Sequence, residues 1–182
     1  MPNWSDNKLF VEGDKKDIKR FRENNKTSQS ELSLNCLIPM PKEIQETTSP
    51  CKPNEKLIKK YGVDNWYDWA CKNWGTKWDA QVWSVKASDE SLLYDFRSAW
   101  TPPIEWLKTV SKLFPKMLFK IEFESFMLFE GVAYVKNGKI SLCCDKQVLS
   151  EKEDSSFMKD PEANYLKAIK GSSNSVTRGK GR

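Results

Sequence analysis

Ser91-Leu92-Leu93-Tyr94-Asp95-Phe96-Arg97-Ser98-Ala99-Trp100 runs directly into Thr101-Pro102-Pro103-Ile104. In an extended chain, Leu92, Tyr94, Phe96, Ser98 and Trp100 share one face, while Leu93, Asp95 and Arg97 take the other. Thr caps helices well and Pro is favoured at the first helical position, so Thr101-Pro102-Pro103 predicts a helix start. Ile104, Leu107, Val110, Leu113 and Phe114 would form its apolar stripe, and Pro115 would end it. Met117, Phe119, Ile121 and Phe123 then alternate with Leu118, Lys120, Glu122 and Glu124, the pattern of a half-buried strand.

Upstream, Trp78 to Lys86 reads as a further strand, but its apolar positions change face between Val82 and Trp83. That slip predicts a bulge or a strand buried on both sides. Before it lies a dense aromatic stretch, Trp66-Tyr67-Asp68-Trp69-Ala70-Cys71-Lys72-Asn73-Trp74-Gly75-Thr76-Lys77-Trp78. Five of the eight tryptophans fall between Trp66 and Trp83, and Trp is large enough to anchor a core or an interface alone. The spacing predicts a helix capped by Asp64, burying Trp66, Trp69, Ala70 and Asn73 or Trp74, and stopped by a left-handed Gly75. Glu55 to Tyr61 reads as a short helix ended by Gly62. Cys36-Leu37-Ile38-Pro39-Met40-Pro41 is apolar, yet its prolines exclude a helix interior or central strand. It should lie extended across the core. At the start, Lys8 to Glu12 alternates as a strand, and Asp14 to about Asn24 reads as a helix with Ile18 and Phe21 inward.

Downstream, Met127 to Val135 and Lys139 to Cys143 flank Asn137-Gly138, the strongest short hairpin signal. Beyond Leu149 the chain turns rich in Glu, Lys and Ser, with Tyr165, Leu166 and Ile169 as a last helical turn. The order is therefore βαββαβ plus a hairpin. The fold class is α+β: a ferredoxin-like antiparallel sheet with helices on one face, a helical insertion over residues 25–76 and an extra C-terminal hairpin. We divide the chain into a domain over 1–149 and, over 150–182, a polar linker and a basic, disordered tail.

The formal net charge is +5, and Lys167, Lys170, Arg178, Lys180 and Arg182 account for all of it. Residues 1–162 sum to zero, so the basic excess belongs to the tail. Five cysteines, an odd number without C-x-x-C spacing, suit reduced thiols rather than a disulfide framework or a zinc site. Histidine is absent, which removes the Ser-His-Asp and Cys-His routes to a nucleophile. No apolar run could span a bilayer and the start lacks the pattern of a signal peptide, so a cytoplasmic location without membrane contact is expected.

Met1-Pro2-Asn3-Trp4 with Asn7 and Gly13, Ile38-Pro39-Met40-Pro41, Trp66-Tyr67-Asp68-Trp69 and Asn73-Trp74-Gly75-Thr76-Lys77-Trp78 form an ordered string of motifs. Ala99-Trp100-Thr101-Pro102-Pro103 and Leu113-Phe114-Pro115 continue it. Over roughly residues 1–142 the string resembles the YubB ferredoxin-like family, carried by phages, conjugative plasmids and prophage regions. Position 5, commonly cysteine in that family, is Ser5 here. The resemblance implies a fold and a mobile-element origin, and no reaction.

The expected function is therefore binding rather than catalysis, with no catalytic residues, cofactor or metal assigned. The candidate partner site is the turn Asn73, Trp74, Thr76, Lys77 and Trp78, where aromatic faces stand beside a cation. A protein of the bacterial host is the expected partner, with inhibition of a host defence component as the activity. The alternative is single-stranded nucleic acid, bound by the sheet face and by Lys170, Arg178, Lys180 and Arg182. Asp68, Asp79 and Asp95 could converge on Mg²⁺, or Asp68, Lys77 and Asp95 on a nucleotide-like molecule, although each also fits an ordinary surface role.

Overall fold

Trp4–Glu12 forms β1, the strand around which the sheet is assembled in a computed structural model describing residues 3–125 and 129–144. The chain continues through α1 (Lys15–Asn25), α2 (Leu34–Leu37), α3 (Lys42–Gln45), α4 (Glu55–Tyr61) and α5 (Trp66–Asn73). Then come β2 (Gln81–Ala87), β3 (Ser91–Ala99), α6 (Ile104–Leu113), β4 (Leu118–Ser125), β5 (Phe129–Lys136) and β6 (Lys139–Cys144). The strands form one antiparallel sheet in the order β2-β3-β1-β4-β5-β6. Its first four positions form a split β-α-β pattern, in which β1 lies between β3 and β4, the two strands that α6 connects. The hairpin extends this sheet on the β4 side, with Asn137 and Gly138 both at positive φ as its tight turn requires.

Side-chain alternation divides the sheet. Leu9 and Val11 of β1, Leu92, Tyr94 and Phe96 of β3, Phe119, Ile121 and Phe123 of β4, and Ala133 and Val135 of β5 face inward. Ile18 and Phe21 of α1 and Trp106, Leu107 and Val110 of α6 cover them, as do Leu34, Ile44, Trp69, Ala70 and Trp74 from the insertion. Phe21 sits at the hub, with its ring edge-on to Tyr94, Trp106 and Phe114. The opposite face carries Asp6, Lys8, Arg97, Glu124 and Glu130 to solvent.

The insertion is pinned by hydrogen bonds aimed at its backbone. Trp74 Nε1 donates to Ile38 O and Trp106 Nε1 donates to Leu34 O, both at 2.9 Å. Asp79 Oδ1 accepts the Leu34 amide at 2.6 Å, and its Oδ2 accepts the Ser33 hydroxyl at 2.5 Å. A buried indole N–H left unpaired would cost about 1–3 kcal/mol, so these contacts fix where the insertion can sit.

Several boundaries differ from the sequence reading, each for a local reason. β1 begins at Trp4 rather than Lys8, because Ser5 and Asn7 are buried polar residues that hide the alternation. Trp4 consequently lies in the strand, on its outer face. Of the segment expected to be extended, Cys36 and Leu37 close α2, whose helical turn precedes the prolines, while residues 38–41 are non-helical and lead into α3. Asn65, not Asp64, caps α5: its Oδ1 accepts the Asp68 amide while its Nδ2 donates to Asp68 Oδ2. β2 starts at Gln81, after the turn that holds Trp78, and the expected bulge falls between Val82 and Ser84.

Trp100 leaves the β3 face altogether, at φ 73°. Thr101 does not cap α6, whose N-cap is Pro103; its hydroxyl instead donates to Gly75 O at 2.5 Å. On α6 the buried face includes Trp106 and Ser111, whereas Leu113 is exposed. The division at residue 150, the polar linker and tail, and the helical turn at Tyr165 lie outside the described residues. Among those described, no helix is long and apolar enough to cross a membrane.

Candidate functional site

The tryptophan stretch separates into scaffold and surface. α5 buries Trp69 and Ala70, and its last turn delivers Trp74 against Trp69, ring centroids 5.5 Å apart and nearly perpendicular. Gly75, at φ 79°, ends the helix and donates to Ala70 O and Cys71 O. A Cβ there would come within 3.2 Å of the Glu105 amide nitrogen, so both conformation and space call for glycine. Thr76 is buried and its hydroxyl donates to Ala99 O at 2.8 Å. Asn73 donates from Nδ2 to Trp69 O at 2.9 Å. Three of the five expected site residues, Asn73, Trp74 and Thr76, thus hold the turn together.

The other two form a surface cluster. Lys77 Nζ lies 4.7 Å from the ring centroid of Trp78 and 5.8 Å from those of Trp66 and Tyr67. An ammonium among aromatic faces is attracted by their quadrupoles, at about 0.5–1 kcal/mol for an exposed pair. Trp78 in turn packs against Trp4, centroids 5.9 Å apart. Trp78, Tyr67 and Trp100 keep 37%, 39% and 45% of their surface accessible, although each is large and apolar enough to be worth burying. Burial pushes the Cys71 thiol, beside Tyr67, above its ordinary range, which disfavours a reactive thiolate there.

Beneath Trp100 runs a polar latch. Asn7 Nδ2 donates to Ser5 O and to Ser98 Oγ, both at 2.9 Å, and Ser98 Oγ donates to Thr101 O at 2.7 Å. The Trp100 amide donates to Asn3 O at 2.8 Å. A bulky residue at positive φ is strained by roughly 1–2 kcal/mol, and such strain persists only where the surroundings over-determine it. Asn7, Ser98, Thr101 and Thr76 supply that determination on both sides of Trp100. Sequence reasoning missed Trp4, Tyr67 and Trp100 as surface aromatics; the sole signal for Trp100 was the proline pair that follows it.

The acidic candidates part company. Asp68 belongs to the α5 cap, Asp79 to the α2 amide, and Asp95 to the outer sheet face opposite Lys8. Among the described residues, no group of three His, Cys, Asp or Glu side chains is placed to hold a metal ion. Lys170, Arg178, Lys180 and Arg182 lie outside the described residues.

A strand order of β2-β3-β1-β4 with helices over one face defines a ferredoxin-like α+β domain, here with a six-stranded sheet. Residues 73–160 match the family profile described as "Ferredoxin-like domain in Api92-like protein". The matching profile carries the Api92-like description and not the YubB name. Among solved structures, the crystal structure of a protein api92 from Yersinia pseudotuberculosis is similar, with a TM-score of 0.51 and 9% sequence identity. The alignment covers 82% of this chain and 99% of that one. At that identity the likeness concerns the fold alone. No curated protein matches the chain.

Proposed function

We propose that the chain is a binding protein, acting without catalysis by stoichiometric contact with a protein partner through Trp4, Tyr67, Lys77, Trp78 and Trp100. The observation that carries this reading is the Lys77 ammonium gathered over Trp66, Tyr67 and Trp78 with Trp4 beside it, on the surface. Rigid aromatics around a pre-placed cation lose little conformational freedom on docking, and Trp and Tyr dominate interface hot spots. Asn73, Trp74 and Thr76 support the cluster instead of touching the partner.

The mobile-element origin implied by the motif resemblance makes a bacterial host factor the partner class, and a defence component the first to test. Single-stranded nucleic acid draws less support. Around Lys8 and Arg97 the outer sheet face presents Asp6, Asp95, Glu122, Glu124 and Glu130, an acidic excess that would repel phosphates.

The test is co-purification from bacterial lysate with the full chain and with Trp78→Ala and Lys77→Ala. A partner recovered in stoichiometric amount with the natural chain, and lost with both variants at unchanged melting temperature, is expected. Equal recovery with both variants would refute the site, and stoichiometric recovery of nothing from several hosts would refute the function.

A further inference from the structure

The outer face of the sheet sets two like charges, Glu124 and Glu130, opposite one another with no ion pair to either among the described residues. Register places Arg97, Asp6, Glu124 and Glu130 side by side across β3, β1, β4 and β5. Arg97 serves Asp6, at 2.6 Å. Like charges directly opposite on one sheet face destabilise it. The row borders a trough of about 500 Å³, lined also by Asp95, Glu122, Trp83 and Val132, in which Lys8, opposite Asp95 and Glu122, is the one cation against five carboxylates. Trp83, on the bulge, leaves 56% of its surface accessible there.

The position of the chain's end in the sheet supplies the second observation. Cys144, the last residue of β6, pairs with Gly131, which itself lines the trough and directly follows Glu130. The chain therefore leaves the sheet beside the carboxylates. Residues 145–162 follow, enough to reach about 60 Å when extended. Residues 163–182 then carry Lys167, Lys170, Arg178, Lys180 and Arg182 with no acidic residue. The uncompensated pair and the excess positive charge are thus tethered to each other, which raises their effective concentration.

We propose that the chain's own segment Ala163–Arg182 docks on the outer sheet face, with Lys170, Arg178, Lys180 and Arg182 neutralising the Glu124–Glu130 pair and covering the Trp83 trough. The Glu124–Glu130 pair shares no residue with the Lys77–Trp78 cluster, although Trp4 lies on the same face of β1 as Asp6, and the contact is tested without reference to a partner.

The test is a double-mutant cycle on the full chain at low ionic strength, using Glu130→Gln and the neutralised segment Lys170→Ser, Arg178→Ser, Lys180→Ser, Arg182→Ser, alone and together. With the natural segment, Glu130→Gln is expected to lower the melting temperature by about 2 °C. In the neutralised background the same substitution should raise it, because only like-charge repulsion is then relieved. The amide resonances of Glu124, Glu130 and Val132 should move when the segment is neutralised, while the Trp74 and Trp106 indole resonances stay in place. A shift of the same sign in both backgrounds, or superimposable amide resonances, would overturn the proposal. So would a coupling that depends on protein concentration, which would assign the contact to a second copy.

Discussion

The hydroxyl of Thr76 donates to the carbonyl of Ala99 across 2.8 Å, tying the turn that carries Lys77 to the end of the strand that carries Trp100. Both residues are buried, so neither bonding group has water to fall back on. The aromatic cluster and the Trp100 turn are consequently held in one frame. Replacing Thr76 by Val keeps the shape and removes the donor. Chemical denaturation should show a loss of about 1–2 kcal/mol, and partner affinity should fall although position 76 touches no partner.

Trp100 allows function to be separated from stability. Glycine adopts its positive φ without strain, so Trp100→Gly relieves a cost while deleting an exposed indole. The expected result is a folded variant with a clear loss of binding. Trp100→Ala removes the same ring but keeps the strain, and should melt below the glycine variant. A glycine variant that unfolds earlier would show that the indole serves the fold.

Tyr94 carries a hydroxyl buried in the core with no hydrogen-bond partner among the described residues, and burial pushes its pKa far above the usual range. An unsatisfied buried hydroxyl is a cost that phenylalanine does not incur. Tyr94→Phe should therefore leave stability unchanged or raise it by up to about 1 kcal/mol, measured by urea unfolding. A substantial destabilisation would reveal a bond from the hydroxyl to an ordered water.

Glu31 offers a pH prediction. Its hydrogen bond with Lys26, assisted by Arg22 at 3.1 Å, holds the carboxyl below the ordinary range against the opposing effect of partial burial. Because the folded value is depressed, the contribution is fully present above the ordinary carboxylate range and is lost as pH falls through the folded value. Solvent screening keeps it small. Glu31→Gln should give a stability profile that declines less steeply on acidification, with the two profiles converging at the acid end. Parallel profiles would mean that Glu31 is equally stabilised in the unfolded chain.

Strong periodicity made the strand–helix–strand core from Ser91 to Phe123 legible, together with the Asn137-Gly138 turn and the helix stops at Gly62 and Gly75. The missed parts share a cause: contacts from outside the segment. Ser5 and Asn7 break the alternation of β1 because a polar side chain can be buried where others satisfy it, here Ser98. Trp106 falls outside a single-stripe reading of α6 because the helix packs on the sheet and on the insertion, which widens its buried arc. At the candidate site, the composition of the turn marked a dense aromatic run. It could not divide Trp74 from Trp78, because that depends on the Ile38 carbonyl lying over one indole and on Trp4 lying beside the other.

The two indole bonds to Leu34 and Ile38 also bear on how this architecture is inherited. The inserted helices are fastened by Trp106, which lies in the later half of the chain, well outside the segment it holds. Recombination that exchanged residues 26–80 between relatives would bring Trp74 along and leave Trp106 behind. A donor segment would then dock only on a recipient already carrying an indole at that place on its second long helix. The insertion and that one distant tryptophan are therefore coupled through a single buried bond, although the chain order splits them.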